Sequence, residues 1–447
     1  MKIATTIIIL LLWANFTHAQ CWKITVSGSD HSVAIKTDGT LWTWGGNYLG
    51  QLGNGANTMQ NAPIKIGIDN TWQQIIAGGY HNLAIKSDGT LWTWGNNSKG
   101  QLGVGNFTGH NTPTLVGTDT TWQQLAAGLN HSVAIKSDGT LWAWGNNYDG
   151  ELGIGTNIDQ KSPVQTGNDT NWEQATAGYY HTVVLKNDGT LWAWGSNDNG
   201  QLGIGTYINQ FVPVQIGTDS DWRQASASGR QTRAIKNNGT LWGWGVGTDH
   251  SAPVQIGLDN NWEQVSSGLD YTVGIKHDGT LWAWGWNLLG ALGTGSNIDQ
   301  NNPVKIGEEL NWQQVNASVH NTKAIKSDGT LWSWGANDYG QLGNGTFFDS
   351  NIPVFIDCST SAYQVIFSPK DFMIYPTQAE DHITVQITGL NLENLIWDLR
   401  SISGEIKISG HGLTNNQRIE LGDLLPGAYF LTIGNEKGQI SKLFVKI

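Results

Sequence analysis

Short runs of alternating apolar and polar residues, five or six positions long, fill most of this chain, and one set of four such runs keeps returning. In one copy the first run begins at Trp122, the second covers His131 to Lys136, the third Thr140 to Trp144, and the fourth lies near Pro163. Period-two alternation in runs this short predicts β-strands. The Ser137-Asp138-Gly139 segment between the second and third runs reads as a tight hairpin turn, because such turns need a residue at positive φ. No part of the repeated region carries the spacing of an amphipathic helix. The phrase (Asp/Asn)-Gly-Thr-Leu-Trp occurs at Asp38, Asp88, Asp138, Asp188, Asn238, Asp278 and Asp328, every 50 residues except for one step of 40. A four-stranded unit of this size cannot bury its apolar face alone and must stack on its copies. Seven copies predict an all-β fold, a seven-bladed β-propeller followed by a small β-sandwich domain.

Placing the special residues in this frame removes most of the candidate chemistry. Of the 24 Trp, three per repeat account for all but Trp13, Trp286 and Trp397. Trp142 and Trp144 lie two apart, on one face of a strand, and are expected to pack neighbouring blades together. Pro63, Pro113, Pro163, Pro213, Pro253, Pro303 and Pro353 share one position, as at the start of an edge strand. The Asp of each hairpin is a turn former, one per blade, and makes no metal cluster. His31, His81, His131 and His181 share a position that Gln231, Tyr271 and Asn321 also occupy. Such a set suits a local hydrogen-bonding role rather than catalysis. No nucleophile–base set, phosphate loop or metal-type cysteine spacing is present, so neither catalytic residues, nor a metal, nor a cofactor is expected.

The repeat reads Ala-Gly-x-x-His-x-x-Ala-Ile-Lys-x-Asp-Gly-Thr-Leu-Trp-x-Trp-Gly-x-Asn-x-x-Gly-Gln-Leu-Gly, with the last four residues beginning at Gly50, Gly100, Gly200 and Gly340, and variants at Gly150 and Gly290. In this it resembles the regulator-of-chromosome-condensation repeat family over residues 21 to about 358, which implies a seven-bladed propeller. The tail is similar to the C-terminal sorting domain of type IX secretion substrates at Ile374-Tyr-Pro376, at Leu424-Leu-Pro-Gly-Ala-Tyr-Phe-Leu431 and at Lys442-Leu-Phe-Val-Lys446. Thr377-Gln378 stand where Asn-Pro is usual. That resemblance implies export by the type IX machinery, then release or attachment at the cell surface once the domain is removed.

The organisation expected is therefore a signal peptide at 1–19, a propeller at 20–358, a linker at 359–370 and a sorting domain at 371–447. Lys2, the apolar run Ile7 to Trp13, and Thr17 and Ala19 ahead of a cleavage point form the signal. Cys21 and Cys358 are the only cysteines. In repeat register they match Asn311 and Glu308, three apart in one turn, so a Cys21–Cys358 disulfide is expected to fasten the ring of an exported protein.

Formal net charge is −12, and nearly all of it falls on the propeller. No Lys/Arg cluster offers a track for phosphates, so nucleic acid is not an expected partner. Exchange activity on a GTPase is not expected outside the cell either. The partner is expected to be an extracellular protein, with a glycan as the alternative and a propeller lyase third. The two residues ahead of the histidine position vary from repeat to repeat and sit in loops on one face of the ring. From them come Asp30, Tyr80, Asn130, Tyr179, Tyr180, Arg230, Asp270 and His320 as candidate ligand-binding residues. Repeat five lacks ten residues between Gly245 and Pro253 and adds Arg233. The next repeat carries Trp286, Leu288 and Leu289 in the corresponding loop. These four complete the candidate set, as a notch with an aromatic rim or as side chains folded into the vacated space.

Overall fold

The computed structural model describes residues 21–358 and, in the tail, 372–387, 396–401, 406–411, 417–422, 424–435 and 438–447. The expected signal peptide and linker lie outside the described residues. Each repeat folds as a meander whose strands take successive radial positions. In the first blade these are β1 (Trp22–Ser27), β2 (His31–Lys36), β3 (Leu41–Gly45) and β4 (Gln60–Lys65). Burial follows this order: every residue of the second strand is buried, whereas the fourth is only half-covered. Seven such sheets form, each from one contiguous stretch of chain. Among the described residues there is no helix.

The (Asp/Asn)-Gly-Thr-Leu-Trp phrase has a local cause at each position. The Asp38 carboxylate accepts from both the amide and the hydroxyl of Thr40, at 3.0 and 2.6 Å. Gly39 takes φ +80°, and a Cβ there would lie 2.0 Å from the Asn70 carbonyl oxygen, so a side chain is excluded twice over. The Thr40 hydroxyl in turn accepts from the Trp42 indole at 2.8 Å. Thr40 therefore belongs to the turn, and the third strand starts one residue later than alternation suggested, at Leu41. Local side-chain bonding competes with the sheet ladder for such a threonine.

Tryptophans and lysines join the layers. Trp22 meets Trp42 and Trp44 edge-on, with ring centres 6.2 and 5.9 Å apart. The Lys closing the second strand lies over the same rings; Lys36 Nζ is 3.5 Å from the centre of Trp42. In the other blades that ammonium also meets a carboxylate from the turn ahead of the first strand, as in Lys86–Asp69 at 2.5 Å and Lys136–Asp119 at 2.6 Å.

The tail forms a separate compact unit. Its described strands make a three-stranded and a five-stranded sheet around Ile383, Val385, Leu399, Leu431 and Phe444.

Candidate partner-binding face

A belt of side chains at the histidine position ties blade one to two and so on through six to seven; in blade seven, Asn321 accepts from Lys323 of its own blade and its Nδ2 is left without a partner. His31 Nε2 donates to Asn82 Oδ1 at 2.8 Å, and His81, His131 and His181 reach Ser132, Thr182 and Thr232 at 3.0 to 3.1 Å. Gln231 continues the belt by donating to the carbonyls of Gly268 and Tyr271, both at 2.9 Å. The Tyr271 hydroxyl then donates to the Asn321 carbonyl at 2.7 Å. Burial pushes the four histidines down, His31 to about 4 and the others to about 3, so they stay neutral. The position is a structural hydrogen-bonding one.

A second inter-blade device uses one backbone carbonyl of the Gly-Gln-Leu-Gly loop. Gln51 O accepts from Asn82 Nδ2 at 2.8 Å and from the Trp94 indole at 3.1 Å, both in the next blade. Equivalent pairs converge on the carbonyls of Gln101, Glu151, Gln201, Ala291 and Gln341. Blade five lacks this loop, and the consequence is visible across the seam: the buried hydroxyl of Thr272 has no partner. Arg233, expected among residues meeting a ligand, lies here instead. It is 3% exposed and donates to the carbonyls of Thr232, Trp244 and Val246 at 3.0 to 3.3 Å. Gly243, its cross-strand neighbour, leaves room: a Cβ on it would lie 2.9 Å from Arg233 Cδ. Burial lowers this guanidinium to about 10. The shortened blade fills its own vacancy, and Arg233 is not available to a partner. Lys323, which sequence reasoning passed over, occupies the same position in blade seven. It is fully buried, donates to Asn321 Oδ1 at 2.8 Å, and is held well below its ordinary value by burial. The legible signal was a cation where other repeats have Val or Leu.

The remaining candidates fall on the face that carries the loops between first and second strands. Asp30 is half-buried, which pushes its carboxyl up, and it accepts a hydrogen bond from the Tyr48 hydroxyl, which opposes that rise. The Tyr48 ring stands 5.9 Å from Tyr80 and 6.0 Å from Tyr339. Tyr179 stands edge-on to Tyr180 at 6.1 Å. Tyr179 is raised chiefly by burial, and also by the nearby Tyr80, Asp270, Tyr180 and Asp30. His320 is lowered by burial against the opposing pull of Asp270 and Asp30. Candidates from blades one, two, four, six and seven thus gather around one mouth of the propeller. The central cavity, about 160 Å³, is lined on this side by Ser29, Gly79, Leu129, Tyr179 and Val319. Tyr48 and Tyr339 were not singled out from sequence, because their place beside the loop residues appears only when the ring closes.

The others are dispersed or partly used. Trp286 is half-buried with its ring 4.9 Å from His320 of blade seven, so it does not fill blade five. Leu288 is exposed and Leu289 half-buried. Asn130 accepts from Gln101 Nε2 at 3.3 Å, and Arg230 is exposed. Ile158, Ile208, Ile298 and Phe348, one per blade at equivalent loop positions, are 63 to 81% exposed. Among the described residues no cluster of His, Cys, Asp and Glu is arranged to hold a metal.

Cys21 and Cys358 meet at the seam of the ring, as register suggested. The Cys21 thiol donates to the Cys358 carbonyl at 3.5 Å, and Lys36 Nζ donates to that carbonyl at 2.8 Å. Both are free thiols here, and burial pushes Cys21 up to about 12.

Seven contiguous four-stranded sheets around a channel, joined by a repeated polar belt, define a β-propeller. Residues 14–261 match the RCC1-like domain model, and residues 278–325 and 328–366 match the regulator of chromosome condensation (RCC1) repeat. The chain belongs to the RCC1-like family. Residues 373–446 match the secretion system C-terminal sorting domain, which marks the chain for export and for the cell surface or outer membrane. Human WBSCR16 is similar at 21% identity, over 71% of this chain and 94% of that one, with a TM-score of 0.65. The structure of Kap60 bound to yeast RCC1 (Prp20) matches at 22% identity over 83% and 91%, TM-score 0.64. Prp20p of Saccharomyces cerevisiae, described with its binding to Gsp1p and histones, matches at 20% over 79% and 90%, TM-score 0.63. A search of curated proteins gave no match.

Proposed function

We propose that this protein is an exported propeller that binds another extracellular protein through the face bearing Asp30, Tyr80, Tyr179, Tyr180, Asp270, Trp286 and His320. The observation that carries this reading is the gathering of aromatic and acidic side chains from five blades at one mouth, on a rigid ring. The exposed Ile158, Ile208, Ile298 and Phe348 add apolar studs around the same face. Binding to a GTPase or histones is not carried over from the yeast relatives: the acidic propeller is expected outside the cell and presents no basic track for nucleic acid. Arrival at the surface through the type IX machinery, removal of residues 1–19, and a Cys21–Cys358 disulfide formed on export belong to the same proposal. In the chain-entropy model a loop this long contributes roughly 5 kcal/mol.

The test is photocross-linking of the full chain, with a benzophenone amino acid at Leu288, to proteins of the extracellular fraction, in parallel with a glycan array. A saturable protein adduct weakened at least tenfold by Tyr180→Ala supports the reading. Saturable glycan binding lost with Tyr180→Ala or Trp286→Ala, with no protein adduct, replaces it with a lectin.

A further inference from the structure

Most carboxylates of the opposite face have partners: Asp38 and its equivalents cap their own turns, and Asp69, Asp119, Asp169, Asp219 and Asp259 pair with lysines of the blades. At the mouth the pattern reverses. Among the described residues, Asp30, Asp270 and Asp338 have no Lys or Arg partner, and the Tyr48 hydroxyl is the one donor bonded to the Asp30 carboxylate. Asp338 stands close enough to Asp30 to act on its titration. Asp270 and Asp338 are exposed, whereas Asp30 is half-buried near His320, an imidazole whose protonation burial disfavours, so a cation brought to this place meets negative charge that no Lys or Arg offsets.

Aromatic rings wall the same place. Tyr48 is 45% exposed, and it stands between Tyr80 and Tyr339 with rings tilted 54° and 55° to its own, so the three do not stack flat. Aromatic rings grouped beside a carboxylate suit a cation, which can meet a π face and the negative charge together. An anion would be repelled, whereas a cation gains charge attraction from the acids as well as contact with the rings.

We infer that the mouth formed by Asp30, Tyr48, Tyr80, Asp270 and Tyr339 receives a cationic side chain, lysine or arginine, from the protein partner. This rests on the reading that the face binds a protein. The cation is expected to lie against the Tyr48 and Tyr80 rings with Asp30 and Asp270 as its counter-charges.

Four peptides of one Gly-Ser sequence, differing in a single central Lys, Arg, norleucine or citrulline, are titrated at low salt into the full chain carrying ¹³C-labelled tyrosine rings. The expected result is at least tenfold tighter binding of the Lys and Arg peptides. Shifts should centre on Tyr48 and Tyr80, and binding should weaken at least tenfold in Asp30→Asn and in Tyr80→Leu. Glu308→Gln, on an exposed turn away from the mouth, should leave binding unchanged, and thermal melts check that each variant is folded. Equal binding of norleucine and lysine peptides overturns the inference, as does cation binding that survives both mouth variants. If cross-linking finds a partner while the peptides show no cation preference, this inference falls and the protein-binding reading stands. If the peptides bind as expected but no protein is captured, the reading falls and the cation site stands.

Discussion

At the residue scale, the belt histidines make stability depend on acid in a defined direction. An imidazole in an unfolded chain titrates near 6.5; in the native ring burial holds His31 near 4 and His81, His131 and His181 near 3. Between those limits the unfolded chain binds more protons, so stability that is complete above about pH 6.5 is lost as pH falls toward 3. Four such groups give a slope of up to about 5 kcal/mol per pH unit. Glu151 acts oppositely. Burial raises its carboxyl to about 7, so its contribution is complete below the unfolded value and is lost as pH rises through 7. Urea midpoints measured from pH 4 to 8 should fall steeply on the acid side. Replacing all four histidines with Gln, the residue that blade five uses at 231, should flatten that fall. Glu151→Gln, as at Gln101, should raise stability at pH 8 by about 1–3 kcal/mol and leave it unchanged near pH 4.

At the element scale, blade five shows what one loop contributes. The six long loops each lend a carbonyl to the next blade, and the missing seventh leaves the Thr272 hydroxyl orphaned. Arg233 compensates within its own blade only. Arg233→Ala should lower unfolding free energy by about 2–4 kcal/mol, from lost charge-assisted bonds and an emptied volume. Grafting Ser196–Asn209 of blade four between Gly245 and His250, together with Arg233→Val, should raise it by about 1–3 kcal/mol, because Thr272 and Trp284 regain an acceptor. Chemical denaturation of the three proteins checks both. The deletion was legible in the sequence as a gap of ten residues, but the fate of Arg233 was not. A cation in a varied stretch reads as a surface group until its strand partner is known to be Gly243. The mouth shows the same limit. Asp30, Tyr80 and Tyr179 could be chosen because their loop position varies. That Tyr48 and Tyr339 join them depends on ring curvature, which no single repeat encodes.

At the scale of the whole molecule, the fold was legible because one fifty-residue grammar is written seven times and each word has a local cause: Asp38 caps, Gly39 turns, Thr40 bridges to Trp42. The meeting of Cys21 and Cys358 followed from the same register, since the seam between blades seven and one repeats the seams elsewhere. Ser32 and Trp44 of blade one bond the Gln341 carbonyl at 2.8 and 2.9 Å, as Asn82 and Trp94 bond that of Gln51. No blade borrows a strand from the other end of the chain. The ring therefore has no privileged opening. A circular permutant of the propeller that links Cys358 to Cys21, which already meet, and begins at Trp172 should fold with the same cooperative melt and an unchanged binding face, because any seam between whole blades can serve as the opening.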